Sequence, residues 1–507
     1  MYVRQKKNKS GSISVQVIDK SSGSYDVYKT IGSSSDANEI IHLVALAKRE
    51  ILLATGQTAI NFSPLQELTF IDTFVNQIES ISLKGPELIL GKLYKDIGFD
   101  VLNEDLLKHL VITRLVYPVS KLKTTDYLFK YQGEQISVDS IYRYLDKLHN
   151  SQIATVKEIS YKHTCKLLGD KLTVLYYDVT TLYFEAEQED DLRKRGYNKD
   201  GKHQQPQILL GLLVSEGGYP VDYDIFEGNQ YEGETLMIVI KAFEKKYKLE
   251  HLTVVADAGL LSKKNIEQLK EGGYKFILGA RIKNETECIK KQIVELKLQD
   301  GQSTIIELSA EQNLVISYSA TRAKKDAYNR ERGITKLEKL IKAQKLTKQQ
   351  INNKGYNKFL KMDGEIKVKL NKEKIKSDAK WDGLKGYVTN SQMPKEDVIK
   401  QYKELWQIEK AFRISKSDLQ IRPIYHRIKR RIEAHICIAF LACKLYKELE
   451  RILKSKESKL SPEMAIDILK TIYEITITSP YSMSTHKRLI VKNHEQQAIL
   501  EIFGVKF

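Results

Sequence analysis

Along the chain the spacing of hydrophobic positions changes several times, and each change marks an element. Ile13, Val15 and Val17 alternate with polar residues, a Ser/Gly stretch follows at 21–24, and Tyr25, Val27 and Tyr28 resume the pattern. This alternation predicts a β-hairpin at the N-terminus. From 38 to 53 the apolar residues return at helical spacing, and several short helical patterns occupy 87–149, including 106–117 and 140–148. Ser137 precedes the last of these as a cap, the arrangement of the second helix of a helix-turn-helix.

Between 171 and 280 the pattern predicts strands at 172–180, 207–214, 219–227, 252–256 and 274–279, with helices at 233–246 and 262–271. The first three strands, with the Glu216-Gly217-Gly218 turn between the second and third, are expected to be antiparallel. Helices separate the later ones, so those are parallel. An α/β fold with a mixed sheet results. Residues 285–380 interrupt it with Lys-rich sequence, in which alternation near 303–316 and 365–370 brackets a helical middle. Sheet-like sequence resumes at 384–390, followed by a helix over 394–415 and a largely apolar helix over 431–453. The expected division is 1–60, a basic hairpin plus helix; 61–160, mainly helical; 165–284 with 381–453, the α/β core; 285–380, an insertion subdomain; and 454–507, a helical C-terminal segment.

Composition narrows the function. The 507 residues are 42% hydrophobic and 29% charged, as in a globular protein, and the 82 Lys and Arg exceed the 65 Asp and Glu by 17. Such an excess suits a polyanion such as nucleic acid. The longest apolar run, 436–443, falls far short of the ~20 residues of a spanning helix. A basic N-terminus without an apolar run or cleavage site predicts a cytoplasmic protein with no membrane partner. Four cysteines show no metal-binding or redox spacing. Neither a phosphate-cradling GxxxxGK[ST] nor a GxGxxG follows a strand, so nucleotide hydrolysis and dinucleotide binding have no support.

Three acids stand where acids are costly. Asp178 interrupts an apolar strand, and Asp257 ends another just before Ala258-Gly259, at the carboxyl edge of the sheet. Glu409 emerges from helical spacing. At ~100° per residue, Tyr402, Leu405, Trp406, Glu409, Phe412, Arg413 and Lys416 share one side of a continuous helix, which puts Glu409 within an apolar stripe. If the three converge, they form an all-oxygen site for hard divalent cations, and two Mg²⁺ ions, or Mn²⁺ in their place, would suit phosphodiester transfer. Beside Glu409 lies a basic run with Arg413, Lys416, Arg422, Arg427, Lys429 and Arg430, a candidate phosphate track, and Trp406 is a candidate base-stacking residue.

These residues resemble bacterial insertion-sequence transposases of the DDE class, whose acidic helix carries Tyr-x(2)-Arg-x(3)-Glu-x(6)-Lys. The matching positions are Tyr402, Leu405, Glu409 and Lys416, with Leu405 in place of Arg and Arg413, one turn beyond Glu409, as a substitute. The resemblance extends to Tyr177-Asp178-Val-Thr-Thr, Gly196-Tyr-Asn-Lys-Asp200, Phe226-Glu-Gly-Asn229, Ala256-Asp257-Ala-Gly259 and Tyr387-Val-Thr-Asn390. It implies a ribonuclease H-like core with Asp178, Asp257 and Glu409 as catalytic metal ligands, and an N-terminal, mainly helical DNA-binding region. Tyr402 and Lys416 would hold DNA backbone. It further implies metal-dependent cleavage at terminal inverted repeats, strand transfer into target double-stranded DNA, a dimer or larger synaptic assembly, and a bacterial, nucleoid-associated location. Two other readings fit the same residues: a catalytically inactive DNA-binding repressor, and a nuclease that cuts without joining.

Overall fold

The computed structural model describes residues 1–507 apart from 22, 56–70, 170–171, 198–200, 202–203, 250–251, 344, 347–350, 353, 364–366, 423, 480–481 and 507. The expected boundary at 60 and part of the Gly196–Asp200 motif therefore lie outside the described residues. Two compact units emerge, one of Met1–Ser80 with Thr476–Lys487 and one of Ile81–Ile475 with Arg488–Phe507.

In the first unit, strands β1 (Tyr2–Lys7), β2 (Ile13–Asp19) and β3 (Asp26–Ser34) form an antiparallel sheet. Helix Ala37–Ala54 covers one face of it, where Val15 and Val17 meet Ala47. The expected hairpin is thus a three-stranded sheet. β1 escapes the hydrophobic pattern because its only inward apolar residue is Val3, which pairs with Val17, while Arg4 and Lys6 are exposed. A further strand, β4, spans Ile78–Leu83.

The second unit is built on an eight-stranded sheet. Its members in chain order are β5 (Val174–Tyr183), β6 (Gln207–Ser215), β7 (Pro220–Glu227), β8 (Thr253–Ala256), β9 (Lys275–Ala280), β10 (Ser303–Ser309), β11 (Gln312–Tyr318) and, after a small hairpin of β12 (Leu360–Asp363) and β13 (Lys367–Leu370), β14 (Leu384–Thr389). In space the order is β10-β11-β14-β9-β8-β5-β6-β7. The β5–β8 and β8–β9 pairs are parallel and the others antiparallel, giving the mixed sheet that the turn lengths predict. The β10–β11 hairpin, expected inside a separate insertion, instead extends this sheet through β14. Its alternation buries Leu314 and Ile316 in the sheet's core, which is why it belongs there.

Alternate residues of each strand face opposite layers. Leu175 and Tyr177 of β5 with Val254 and Ala256 of β8 pack against helix Glu232–Tyr247 through Leu236 and Ile240. On the other face, Tyr176, Val255, Ile277 and Tyr387 share a core with Tyr402, Ile408 and the helix Lys429–Ser455. The helices between Gly85 and Leu167 join that second core through Leu90, Val111, Leu145 and Val156. From Ile81 on, the expected helical region 61–160 thus belongs to the same unit as the sheet.

Two further expectations need correction. The helix expected over 394–415 is two helices, Lys395–Lys403 and Trp406–Arg413, broken by a turn at Glu404 and Leu405. The C-terminal segment is not helical throughout: strands β15 (Tyr473–Thr478) and β16 (Thr485–Ile490) lie between helices Pro462–Leu469 and His494–Ile502. Among the described residues no helix is long and apolar enough to cross a membrane.

Helix Lys429–Ser455 is apolar yet carries buried charge. Glu450 accepts from Lys410 at 2.5 Å, Lys447 at 2.6 Å and Lys454 at 3.0 Å, which fastens helix Trp406–Arg413 to the long helix. Asp222 is engaged likewise by Lys157 at 2.8 Å, so its role is structural.

Candidate active site

The parallel register of β5 and β8 sets the site. Tyr177 stands opposite Ala256, so the next residue on each strand is an aspartate: Asp178 on β5, and Asp257 just past the end of β8. Neighbouring strands lie about 4.8 Å apart, and equivalent positions point the same way. Since Tyr177 and Ala256 face the Glu232–Tyr247 helix, both aspartates face the layer that contains Lys395–Lys403 and Trp406–Arg413. Local hydrogen bonds orient them. Asp178 Oδ1 accepts from the Val179 amide at 2.8 Å, and Asp257 Oδ1 from the Gly259 and Leu260 amides at 2.7 and 3.3 Å. Gly259 supplies room for this turn, because a methyl group there would stand 2.9 Å from Asp257 Oδ1.

Tyr402 is buried above the aspartates rather than exposed to a DNA backbone. Its ring lies 4.7 Å from Tyr387 and 4.5 Å beneath the Lys385 ammonium. Burial raises the Tyr402 hydroxyl well above the usual phenol range, and the negative charges of Asp257, Glu409 and Asp178 push the same way. One hydroxyl thus feels all three carboxylates, although they are far apart in sequence. Glycine makes this possible: a methyl at Gly279 would lie 2.3 Å from Tyr402 Oη and 2.9 Å from the Ala258 amide nitrogen. Gly279→Ala is therefore expected to displace Tyr402 and the Asp257 turn and to lower strand cleavage about 100-fold, since misplacement by ~1 Å costs that much. Duplex binding should stay near wild type in a gel-shift titration; unchanged cleavage would refute the role of this contact.

Glu409 differs from its sequence reading. The turn at Glu404 and Leu405 shifts the helical phase, so the buried stripe is Ile408, Ala411 and Phe412, while Glu409 is exposed and Trp406 is 47% exposed. Among the described residues no three His, Cys, Asp or Glu side chains stand together as a metal cage. The aspartate pair offers hard oxygen donors at adjacent strand positions, which fits a divalent cation, with Glu409 within electrostatic reach but outside contact.

The basic run is only partly available. Arg430 and Arg431 both clasp Asp146, with Nε–Oδ1 distances of 2.8 and 3.0 Å, and Arg431 followed by Arg430 holds that carboxyl down to about 2. Arg430 is thereby committed within the protein. Arg413, Arg427 and Lys429 are exposed, and Lys416 is half-buried. Arg422 lies over the Tyr183 ring at 5.6 Å, on a segment whose Ile424 amide donates to Tyr183 O at the end of β5.

Hydrophobic patterning did not single out Lys385, nor the cleft of about 710 Å³ beside it. This cleft runs from Ala258, Gly279 and Tyr402 to Arg281, Arg322 and Lys358. Its sequence signal is the lysine alternating within Leu384-Lys-Gly-Tyr on β14, whose partners β11 and β9 lie far away in sequence. The glycine motifs also have a structural basis. A methyl at Gly196 would stand 2.3 Å from Gly228 O, and Gln207 Nε2 donates to Gly228 O at 2.8 Å and Tyr197 O at 3.0 Å, joining the two motif loops.

A family model described as a transposase DDE domain matches residues 169–444, more than half of the chain and a span that includes Asp178, Asp257 and Glu409. The chain belongs to the DDE transposase family. It is a DNA transposase of the DDE-type nuclease class, and enzymes of this family use divalent metal ions. No curated protein matches it. Among solved structures, the transposase is similar to a piggyBac transposase synaptic complex with hairpin DNA, at 12% identity over 79% of this chain and 77% of that one, with a TM-score of 0.38. It is also similar to a Mos1 transposase paired-end complex with the left transposon end, at 11% identity over 47% and 74% of the two chains, with a TM-score of 0.16.

Proposed function

We propose that Asp178, Asp257 and Glu409 are the catalytic carboxylates of a ribonuclease H-like core that cleaves DNA at terminal inverted repeats and joins the ends to target double-stranded DNA. The observation carrying this reading is the Tyr177–Ala256 register, which sets two aspartates side by side at the edge of the sheet. The aspartates would hold Mg²⁺, or Mn²⁺ in its place. Two such ions would supply Lewis-acid stabilisation of the attacking and leaving oxygens. Glu409, exposed on a short helix, would complete the ligand set by a side-chain rotation drawn by the cation's charge.

The remaining residues bind and orient. Tyr402 fills the space over Gly279 and keeps water from the inner side of the aspartates. Arg413, Lys416, Arg422, Arg427 and Lys429 would line the phosphate path, with half-exposed Trp406 as a stacking surface. A dimer or larger synaptic assembly would bring two ends together. The test is incubation of the purified chain with duplex carrying the terminal repeats in Mg²⁺ or Mn²⁺. Nicks at the repeat termini and joined products are expected. Binding without nicks would favour a repressor, and nicks without joined products a nuclease.

A further inference from the structure

A pocket of about 250 Å³ away from the aspartates collects positive charge, and no carboxylate is among the residues that line it. Arg114 and Lys121 are only 6% and 7% exposed, and His435 is equally buried. Arg114 donates to Leu419 O at 3.4 Å, and His435 Nε2 lies 3.3 Å from Ile421 O, while His435 Nδ1 is buried without a partner. Arg422 completes the cationic lining, and His426 stands beside it as a neutral imidazole, pushed down to about 3 by burial and by Lys121 and Arg114. The pocket also faces the N-terminus of helix Lys121–Gln132, where Pro118 and Val119 lead into the Ser120 cap and the helix dipole favours an anion.

Buried charge without a counter-charge costs several kcal/mol, so an anion entering this pocket would be attracted and would favour the charged form of Lys121. Burial first, then the neighbouring Arg114, pushes Lys121 well down from its usual range, and burial holds Arg114 down to about 10. The mouth carries Arg422 and Tyr425, the latter 72% exposed, on the segment that pairs with the end of β5. The segment at the pocket's mouth thus also pairs with the far end of β5, the strand that carries Asp178.

We propose that this pocket is a phosphate site that seats one backbone phosphate of the DNA substrate. It rests on the DNA-binding reading above but not on the catalytic roles of the acids. In the full chain, Lys121→Met is expected to weaken duplex binding roughly tenfold and to reduce the slope of log K against log salt by about one. The same variant should melt at a higher temperature than wild type without DNA, because it removes a buried amine whose charged form the fold disfavours relative to the unfolded chain. A lysine needed only for the fold would give the opposite sign. A second measurement replaces the duplex phosphates one at a time by methylphosphonates: one position should weaken wild type but leave Lys121→Met unchanged.

Inorganic phosphate provides the other arm. If it raises the wild-type melting temperature and the Lys121→Met temperature stays fixed, while duplex affinity and salt slope match in both proteins, the site takes free phosphate and the DNA assignment is overturned. A lower melting temperature in the variant with unchanged duplex binding also overturns it. Wild-type protein that binds duplex with the expected Lys121 dependence but makes no nicks would refute the catalytic reading and leave this one standing.

Discussion

Asp178→Asn and Asp257→Asn are each expected to lower strand cleavage by at least about 1,000-fold, at the upper end of what losing one preorganised electrostatic group costs. Duplex affinity should change less than about threefold, because neither residue belongs to the basic run. The reason lies in the register. Asp178 and Asp257 follow paired residues on parallel strands, so an amide at either position leaves half of a two-carboxylate edge. The amide retains size and the Oδ1 acceptor to the Val179 or Gly259 amide, so folding should survive. Equal stability in a thermal melt with lost cleavage is the expected pair of results. Cleavage within tenfold of wild type would remove that residue from the site.

Glu450→Gln is expected to destabilise the fold by about 3–5 kcal/mol, the cost of breaking a buried ion pair from one side. Glu450 is surrounded by Lys410, Lys447 and Lys454, and Lys447 is almost wholly buried. Burial alone pushes the Glu450 carboxyl up, but hydrogen bonds from Lys410 and Lys447 outweigh it and hold it down to about 2. Against an unfolded value of ~4.3, this depressed folded value means the stabilisation is complete above about pH 4.3 and is lost as pH falls toward 2. Denaturant melts should show the wild-type advantage shrinking across that window. Equal stability of the two proteins at pH 7 would contradict the role of the network. Loosening this clamp also frees helix Trp406–Arg413, so cleavage should fall in the variant before it unfolds.

Legibility from sequence followed burial. β5 to β9 are readable because each alternates or runs apolar between turn signals; the short turn between β6 and β7 requires antiparallel pairing and the helix between β8 and β9 allows parallel pairing, whereas the long connection from β5 to β6 leaves their direction open. β1 was hidden by Arg4, Lys6 and Lys7, since a strand with one covered face and one solvated face near the chain end has few apolar residues. The β10–β11 hairpin was visible as a hairpin, but nothing local revealed that β14, about seventy residues on, would draw it into the main sheet. The transposase resemblance was readable because it rests on short motifs whose spacing survives the insertion. For the candidate site, the aspartates could be located because a carboxylate within an apolar strand is conspicuous. The helical phase that places Glu409 in an apolar stripe is broken by the turn at Glu404 and Leu405, so its exposure is not legible from periodicity. The commitments of Arg430 to Asp146 and Lys410 to Glu450 depend on partners far away in sequence, and no local pattern announces them.

Crystals of the full chain with end-bearing duplex, soaked in Mn²⁺ and measured at the manganese edge, test the central claim most directly. Anomalous density is expected between the Asp178 and Asp257 carboxylates, with Glu409 turned toward it and a DNA phosphate opposite. Manganese bound elsewhere, with the two aspartates bare beside an ordered DNA end, would contradict it.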